Sequence, residues 1–202
     1  MRCLKLENKG IEKYLEESDI IDYSDPSLIK LVYNLVDGIE NTSEKIKVIY
    51  EFVRDEVKHS YDIDASKVTC IASDVFKEGH GVCYAKSHLL VALLRSIGIP
   101  SGFCYQGLVS DDTLDKRIIL HGLVGVYVKE IEKWIRLDAR GNKPGVEATF
   151  SLTEEKLAFP LRQDIGEYDM NVVFSEPSRK VIECLLKSKD IIEVANNLPE
   201  SI

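Results

Sequence analysis

The sequence predicts an α+β fold in which a buried helix packs on an antiparallel sheet, with further helices toward both termini. Apolar residues recur at helical spacing through the first half of the chain. β-branched and aromatic residues concentrate between positions 103 and 137, and helical spacing returns after position 178. A chain of 202 residues, 45% of them hydrophobic, can bury a core of ordinary size. We expect one domain over 1–202, with a core of about 27–142 and a C-terminal extension, 143–202.

Two helices are predicted before position 60. The first begins at Asp25-Pro26, where a capping side chain precedes a proline at the first helical position, and it ends before Gly38. The second covers roughly 42–58 and begins with a capping-box pattern. Its residues Ile46, Ile49, Tyr50, Val53 and Val57 form one apolar stripe. A short helical turn is expected at 72–78.

A third helix is predicted to start at Cys83 and to be buried. The glycines of Gly79–Gly81 permit a tight bend before it, and Gly98 with Pro100 ends it. Between these points apolar residues recur at three- and four-residue steps, and their neighbours widen the apolar surface. The helix is therefore predicted to lie in the core. After Ser178, helical spacing predicts one more helix and a further turn or two.

Three strands are predicted to form the sheet, and they cover positions 103–105, 118–128 and 134–137. If a two-residue turn centred between Lys129 and Glu130 joins the last two strands, the numbers of paired residues sum to 259. His121 would then lie directly opposite Asp138. A shift of the register by two residues keeps both side chains on one face, whereas a shift by one separates them.

Charge and cysteine content argue against several classes of protein. Five cysteines at irregular positions include no CxxC pair, so we expect neither a disulfide framework nor a metal site, and no cofactor. The formal net charge of −8 disfavours nucleic acid as a partner. The longest apolar run, Leu89–Leu94, is far shorter than the ~18 residues of a membrane span, and Met1–Lys5 does not lead into a signal-peptide core. We expect a soluble cytoplasmic protein without a membrane partner.

Cys83 is the candidate nucleophile. It stands at the first turn of the buried helix, where unpaired backbone N–H groups and the positive end of the helix dipole stabilise an anion. The thiolate is the form of cysteine that attacks acyl carbons. The alternative interpretation is a small apolar core residue. We predict that role for the other cysteines with apolar neighbours, which are Cys70, Cys104 and Cys184.

Four histidines could act as the base. His121 lies within a strand, which would hold its ring rigidly, although a core histidine bonded to backbone explains its position equally well. His80 is close to Cys83 in sequence but lies on a glycine-flanked loop, and it ranks second. We expect His88 on a polar helix face and His59 beside a helix end, where it would interact with the dipole.

Asp138 has two possible roles. Opposite His121, its carboxylate would orient the imidazole and stabilise the charged form of the ring. Alternatively, it caps the turn formed by Ala139, Arg140 and Gly141, as strand-ending carboxylates often do.

These segments resemble a known family. The sequence GHGVCYAK at Gly79–Lys86, followed by RSIGIP at Arg95–Pro100, looks like the nucleophile helix and the turn after it in transglutaminase-like proteins. His121 on a strand and Asp138 in WIRLD resemble the second and third members of that family's Cys, His, Asp order. The resemblance covers roughly positions 27–142.

The resemblance implies a papain-like α+β fold and thiol-dependent acyl chemistry with Cys83, His121 and Asp138 as catalytic residues. One departure concerns the residues after the histidine. Many relatives carry an aromatic residue there, whereas this chain has Gly122-Leu123, which affects substrate choice more than the triad. The family includes transglutaminases, cysteine proteases, amidases and inactive relatives, so the fold alone does not decide the reaction.

We predict hydrolysis of a peptide, protein or small amide through a thioester acyl-enzyme. Acyl transfer to an amine, as in transglutaminases, is the alternative reaction, and an inactive partner-binding relative is the third interpretation. The backbone N–H of Cys83 is the natural first donor to an oxyanion. Gln106 and Tyr105, on the strand after the helix, are candidates for the second donor.

Further candidates for substrate binding follow the last predicted strand. Arg140, Asn142 and Lys143 come directly after Asp138 and could bind a carboxylate or an amide, and Trp134 could form a wall of the site. A polar surface loop and ordinary core packing, respectively, are the simpler interpretations. The sequence does not indicate an oligomeric state.

Overall fold

The computed structural model describes residues 4–110 and 116–202, so the predictions that involve Met1–Cys3 lie outside the described residues. The helices are α1 (Pro26–Val36), α2 (Thr42–Asp55), α3 (Ala72–Glu78), α4 (Cys83–Ser96), α5 (Arg179–Lys187) and α6 (Ile191–Asn196). The strands are β1 (Lys5–Leu6), β2 (Lys58–His59), β3 (His80–Gly81), β4 (Ser101–Val109), β5 (Ile118–Val128), β6 (Lys133–Leu137), β7 (Tyr168–Asp169) and β8 (Val172–Val173). None of the helices in these two ranges is long and apolar enough to span a membrane.

The central sheet is antiparallel and has the strand order β6-β5-β4-β7. Two small parallel pairs, β1 with β8 and β2 with β3, lie outside it. Helix α4 packs in the core between the sheet and the helices α1, α2 and α3, and residues 89–94 along it are buried. The predicted α+β fold with a buried helix on an antiparallel sheet is confirmed.

Capping residues in the sequence predicted where α1 and α2 begin. The Asp25 side chain accepts a hydrogen bond from the Ser27 amide at 2.8 Å and caps α1, and Asn41 accepts one from the Glu44 amide at 2.9 Å and caps α2. Strand β4 is longer than predicted because it pairs with β5 along its whole length, Ser101–Val109, including its glycines. A Cβ atom at Gly102 would lie 2.3 Å from the Phe174 carbonyl oxygen. A strand with such glycines has weak local propensity, so only its centre was predicted.

The predicted register of β5 and β6 was wrong by two residues. Val128 pairs with Lys133 and Val124 with Leu137, so the strands are joined by a four-residue loop rather than a two-residue turn. The loop contains a short 3-10 turn and ends at Glu132, whose φ of 51° is left-handed. A two-residue hairpin turn at Lys129-Glu130 would have required positive φ at residues that rarely adopt it. Because the shift is even, His121 and Asp138 remain on one side of the sheet.

A buried lysine ties α4 to the segments around it. Lys86 is fully buried, and its Nζ donates to the carbonyl oxygens of Arg54 (3.1 Å), Val57 (2.5 Å) and Arg140 (3.2 Å). Two of these carbonyls belong to the end of α2 and the residues after it, and the third follows Asp138. One side chain therefore joins these two segments to α4.

Candidate active site

Cys83 is half-buried at the first position of α4. No side chain caps this helix start, so its first amide groups remain available to an anion. The next residue, Tyr84, donates a hydrogen bond from its hydroxyl to the carbonyl oxygen of Leu120. This bond attaches the first turn of α4 to the residue before His121.

The part of β5 that carries His121 is an open strand edge. Strand β6 ends at Leu137 opposite Val124, so β6 does not pair with the residues before Val124. At this edge the Leu120 amide donates instead to the Pro199 carbonyl oxygen at 2.8 Å, while its carbonyl accepts from Tyr84. The start of α4 can approach His121 here because no strand intervenes.

Gly122 permits this approach. A Cβ atom at position 122 would lie 2.8 Å from the Tyr84 ring, closer than side-chain atoms normally come. The residue after the histidine is thus small because the first turn of α4 lies on it.

His121 and Asp138 form a direct pair. The His121 Nε2–H donates to Asp138 Oδ2 at 2.8 Å, and the side chains are 7% and 0% exposed. The Ala158 amide donates to the same oxygen at 3.0 Å, and the Arg140 amide donates to Oδ1 at 3.0 Å. Asp138 therefore serves both roles that its position suggested: one oxygen caps the turn after β6 and the other holds the imidazole.

The pair shifts both ionisation equilibria toward the charged forms. Burial lowers the pKa of His121, but the charge and hydrogen bond of Asp138, with the nearby Cys83 side chain, raise it to about 10. Burial alone would raise the pKa of Asp138, but His121 and the two amide donors lower it. Since Nε2 is bonded to Asp138, Nδ1 is the ring nitrogen available to the Cys83 thiol. The structure thus brings the Cys83 side chain close to the His121 ring, which Asp138 holds.

Cys83 and His121 open into a cavity of about 470 Å³. Leu108, Val109, Ile119 and Phe159 form much of its apolar wall, and Leu198 contributes from the C-terminal segment. The Phe159 ring meets the His121 ring edge-on, with centroids 5.1 Å apart. His59 and Tyr61 also line the cavity.

The two arginines of the cavity wall are paired with carboxylates. Arg140 binds both carboxylate oxygens of Asp62, one of them at 2.9 Å, and Lys143 binds the same carboxylate at 2.7 Å. Arg162 pairs with Glu167 at 2.7 Å. Arg140 and Lys143, predicted to bind substrate, therefore already hold an acidic partner, although Arg140 does line the cavity.

Gln106 and Tyr105 do not reach the cavity, although both were candidates for the second oxyanion donor. Gln106 lies directly opposite His121 in the sheet, but its side chain is buried and its Nε2 donates to Asp169 at 3.4 Å. The Tyr105 hydroxyl is also buried and accepts from the Ser178 amide at 2.8 Å. On β4, the wall of the cavity is formed by Leu108 and Val109, further along the strand.

Trp134 and Asn142 contact other parts of the protein rather than the cavity. The Trp134 ring packs against Tyr14 and Tyr127, with centroids 4.9 and 5.9 Å away, rather than against the cavity. Asn142 holds a loop closed, because its side chain accepts from the Ala148 amide at 2.7 Å and donates to the Ala148 carbonyl at 3.1 Å. These contacts agree with the simpler interpretations, in which Trp134 is a packing residue and Asn142 belongs to a polar loop.

Two other histidines are engaged elsewhere. The His80 ring is buried, with Nδ1 3.0 Å from the Ser60 hydroxyl. The prediction that His88 lies on a polar helix face was wrong: His88 is buried in α4, 2.7 Å from the Cys70 carbonyl oxygen. The polar surface of α4 is small because the helix is surrounded by other elements.

Three other described cysteines are packing residues. Burial raises the pKa of both Cys70 and Cys104 to about 12, and it also raises the pKa of Cys184. None of the four described cysteines is in a disulfide. The ranges 4–110 and 116–202 contain no cluster of three or more His, Cys, Asp or Glu side chains arranged to hold a metal ion.

Several residues of the site carried no recognisable signal in the sequence. The Ala158 amide, the Phe159 ring and Leu198 lie far along the chain from Cys83, and irregular segments bring them to it. His59 was placed at a helix end, whereas it belongs to β2 and lines the cavity. No periodicity marks such positions, because each depends on a long-range contact.

The fold is that of the papain-like α+β class. The chain belongs to the transglutaminase-like superfamily, whose family model matches residues 29–139, a little over half of the chain. This class of proteins is generally enzymatic. The matched range lies within the predicted core of 27–142.

The chain is also similar to solved structures. A proposed cysteine protease from Cytophaga hutchinsonii is 25% identical, with a TM-score of 0.53, and the match covers 66% of this chain and 43% of that one. A proposed protease from Parabacteroides distasonis is 16% identical, with a TM-score of 0.41, over 75% of this chain and 30% of that one. A TGase is 15% identical, with a TM-score of 0.44, over 95% of this chain and 52% of that one. The chain thus spans about half or less of the length of each. No curated protein matches.

Proposed function

We propose that this protein is a thiol-dependent acyl hydrolase that cleaves an amide bond with Cys83 as nucleophile, His121 as base and acid, and Asp138 as the residue that orients the ring. The observation that carries the proposal is the His121–Asp138 hydrogen bond at 2.8 Å, which occupies Nε2 and leaves Nδ1 to exchange a proton with Cys83 in the same cavity. Similarity to a proposed cysteine protease supports the same class of reaction.

Before acylation the Cys83 thiol gives its proton to His121 Nδ1, and the raised pKa of the ring keeps the imidazole protonated. The sulfur then attacks the carbonyl carbon of the substrate, a carbon–sulfur bond forms, and the carbonyl π electrons move to oxygen. When this oxyanion collapses, the carbon–nitrogen bond breaks and the imidazolium gives its proton to the leaving amine. The product is a thioester on Cys83. Asp138 stays ionised throughout, because it accepts from His121 and from two backbone amides.

Deacylation repeats these steps with water. His121 takes a proton from a water molecule as the water oxygen attacks the thioester carbon, and the carbon–sulfur bond then breaks to return the sulfur to Cys83. The cavity beside Cys83 has room for the acyl group, and its apolar wall accommodates an uncharged side chain next to the scissile bond.

Mass spectrometry of the intact protein tests the proposal most directly. The protein is incubated with a library of short peptides and amides, quenched in acid and weighed. We expect an acyl mass increment that maps to Cys83 in the wild type and is absent from Cys83→Ala. The substitution Cys104→Ala is the matched control, because Cys104 is buried in the sheet and should leave the increment unchanged.

The same experiment separates the possible outcomes. An increment on another residue, or no increment with any substrate, would contradict the proposal. A primary amine added with the substrate distinguishes hydrolysis from transfer, since accumulation of the acylated amine in place of the free acid would identify an acyltransferase.

A further inference from the structure

His59 lies in the wall of the cavity that contains Cys83 and His121. It belongs to β2, which pairs with β3, and it is in register with Gly81, two residues before Cys83. The Lys58 amide donates to the Gly79 carbonyl at 2.9 Å and holds this pairing in place. The backbone thus fixes the His59 ring beside the segment that leads into the nucleophile helix.

The His59 ring is buried but incompletely hydrogen-bonded. The residue is 7% exposed, and its Nδ1 is buried with no hydrogen-bond partner in the described part of the chain. A buried N–H group without a partner is rare because it loses its hydrogen bond to water and gains none in the protein. A buried acceptor nitrogen without a partner costs less free energy. The proton of the neutral ring therefore sits on Nε2, and the ring presents a single N–H donor.

The surroundings keep this ring neutral. Burial is the main cause, and the nearby Arg140 and Lys86 cations add to it, so that the pKa of His59 falls to about 3. A neutral imidazole can donate a hydrogen bond to a developing negative charge without transferring its proton. The proposed acyl chemistry has one oxyanion donor, the backbone N–H of Cys83. The Nε2–H of His59 has no other role in it.

We propose that His59 is a further catalytic residue, whose Nε2–H donates a hydrogen bond to the oxyanion formed when Cys83 attacks the substrate carbonyl. This inference rests on the proposed acyl chemistry and supplies its second oxyanion donor beside the Cys83 amide. The hydrogen bond strengthens as charge moves from the carbonyl π bond to oxygen and weakens again when the thioester forms, and the proton stays on Nε2. Removal of one such donor typically slows the reaction about 10²- to 10³-fold.

Tyr61 is the competing donor. Its hydroxyl is in the same cavity, and its ring lies 5.3 Å from the ring of His59, centroid to centroid. However, Tyr61 is 36% exposed and lies in a 3-10 turn after β2, so its side chain is less firmly preorganised than the buried His59 ring. The buried, strand-held His59 is the better oxyanion donor, and Tyr61→Phe provides a control within the same cavity.

Two reagents that modify Cys83, only one of them through an oxyanion, test the role of His59. Iodoacetamide alkylates the Cys83 thiolate by displacement of iodide and forms no oxyanion, whereas p-nitrophenyl acetate acylates the thiolate through an oxyanion. The rates of both reactions at Cys83 are measured by intact mass. For His59→Leu we expect acetylation to slow about 10²-fold, with alkylation within about twofold of the wild type. For His59→Gln, which keeps an N–H donor, we expect about a tenfold recovery.

Each other outcome overturns the inference. Equal losses in both reactions of His59→Leu would show that His59 only supports the Cys83–His121 pair, and no loss in either would show that it has no role. A selective loss of acetylation in Tyr61→Phe would assign the oxyanion to Tyr61. If wild-type Cys83 is alkylated but never acetylated, the proposed function itself fails and the role of His59 falls with it.

Discussion

The family-matched segment, residues 29–139, and the C-terminal part, residues 143–202, contribute different things to one site. The first supplies the groups proposed to react, which are Cys83, His121 and Asp138. The second supplies the Ala158 amide to Asp138, the Phe159 ring against His121 and the Pro199 carbonyl to the open edge of β5. The comparison teaches that the proposed chemistry belongs to the core, which also forms most of the cavity wall, whereas the extension supports Asp138 and completes that wall.

The largest expected effect lies in the core, at Asp138. Asp138→Asn replaces an ionised acceptor of three N–H groups by an amide with one acceptor oxygen, so the His121 ring loses its orientation and its charge partner. We expect kcat/KM for a substrate found in the mass-spectrometric screen to fall about 10³- to 10⁴-fold. Asp25→Asn is the matched control, since asparagine also caps a helix, and it should change little. Retention of more than a tenth of the activity by Asp138→Asn would contradict the proposed role.

Substitution of the buried Lys86 should lower the free energy of unfolding, because Lys86 joins α4 to the end of α2 and to the residues after Asp138. Lys86→Met leaves three carbonyl oxygens, those of Arg54, Val57 and Arg140, without their donor. We expect the free energy of unfolding to drop by about 3 kcal/mol in denaturant titrations. Lys47→Met, on the exposed face of α2, should change it by less than about 0.5 kcal/mol. Equal stabilities of the two variants would show that the lysine is not needed.

The pH dependence of stability sharpens this prediction. Burial, with the nearby Arg140, lowers the pKa of Lys86 to about 7, below the ~10.4 of an unfolded lysine. Between these values the unfolded chain binds the proton and the folded chain does not, so stability rises with pH in this window. The free-energy advantage of the wild type over Lys86→Met should therefore grow from pH 7 to pH 10. A constant difference across the window would contradict the lowered pKa.

The smallest effect is expected in the extension, at Leu198. Leu198→Ala shortens an apolar side chain of the cavity wall and leaves Cys83, His121 and Asp138 unchanged. We expect KM for an apolar substrate to rise about 5- to 10-fold while kcat is unchanged. Leu186→Ala is the matched control, because Leu186 is 59% exposed on α5 and should have no effect. A fall in kcat at constant KM would instead give the extension a direct part in the chemistry.

These regions also differ in how far the sequence predicted them. Caps and glycines predicted the ends of α1 and the start of α4, because such signals act within a few residues. The glycine bend before Cys83 and the strand around His121 were enough to nominate these two residues, which line one cavity in the structure. The register of β5 with β6 was wrong because the backbone of a four-residue loop decided it.

What the sequence did not predict depends on contacts between distant residues. A fully buried lysine in α4 contradicts the usual preference of that residue for solvent, and only the three carbonyls around Lys86 explain it. His59 and Phe159 reach the cavity through segments without a periodic pattern. The even shift in register preserved the His121–Asp138 contact despite the wrong pairing, because the side-chain period of a strand is two.

The pH at which the His121 ring titrates tests the central claim, that sulfur, imidazole and carboxylate act as one unit. Burial lowers the pKa of His121, but Asp138 and Cys83 together raise it to about 10. NMR of the imidazole, assigned with His121→Gln, should therefore show a midpoint near pH 10 in the wild type and a lower midpoint in both Asp138→Asn and Cys83→Ala. Identical midpoints in the three proteins would contradict the account.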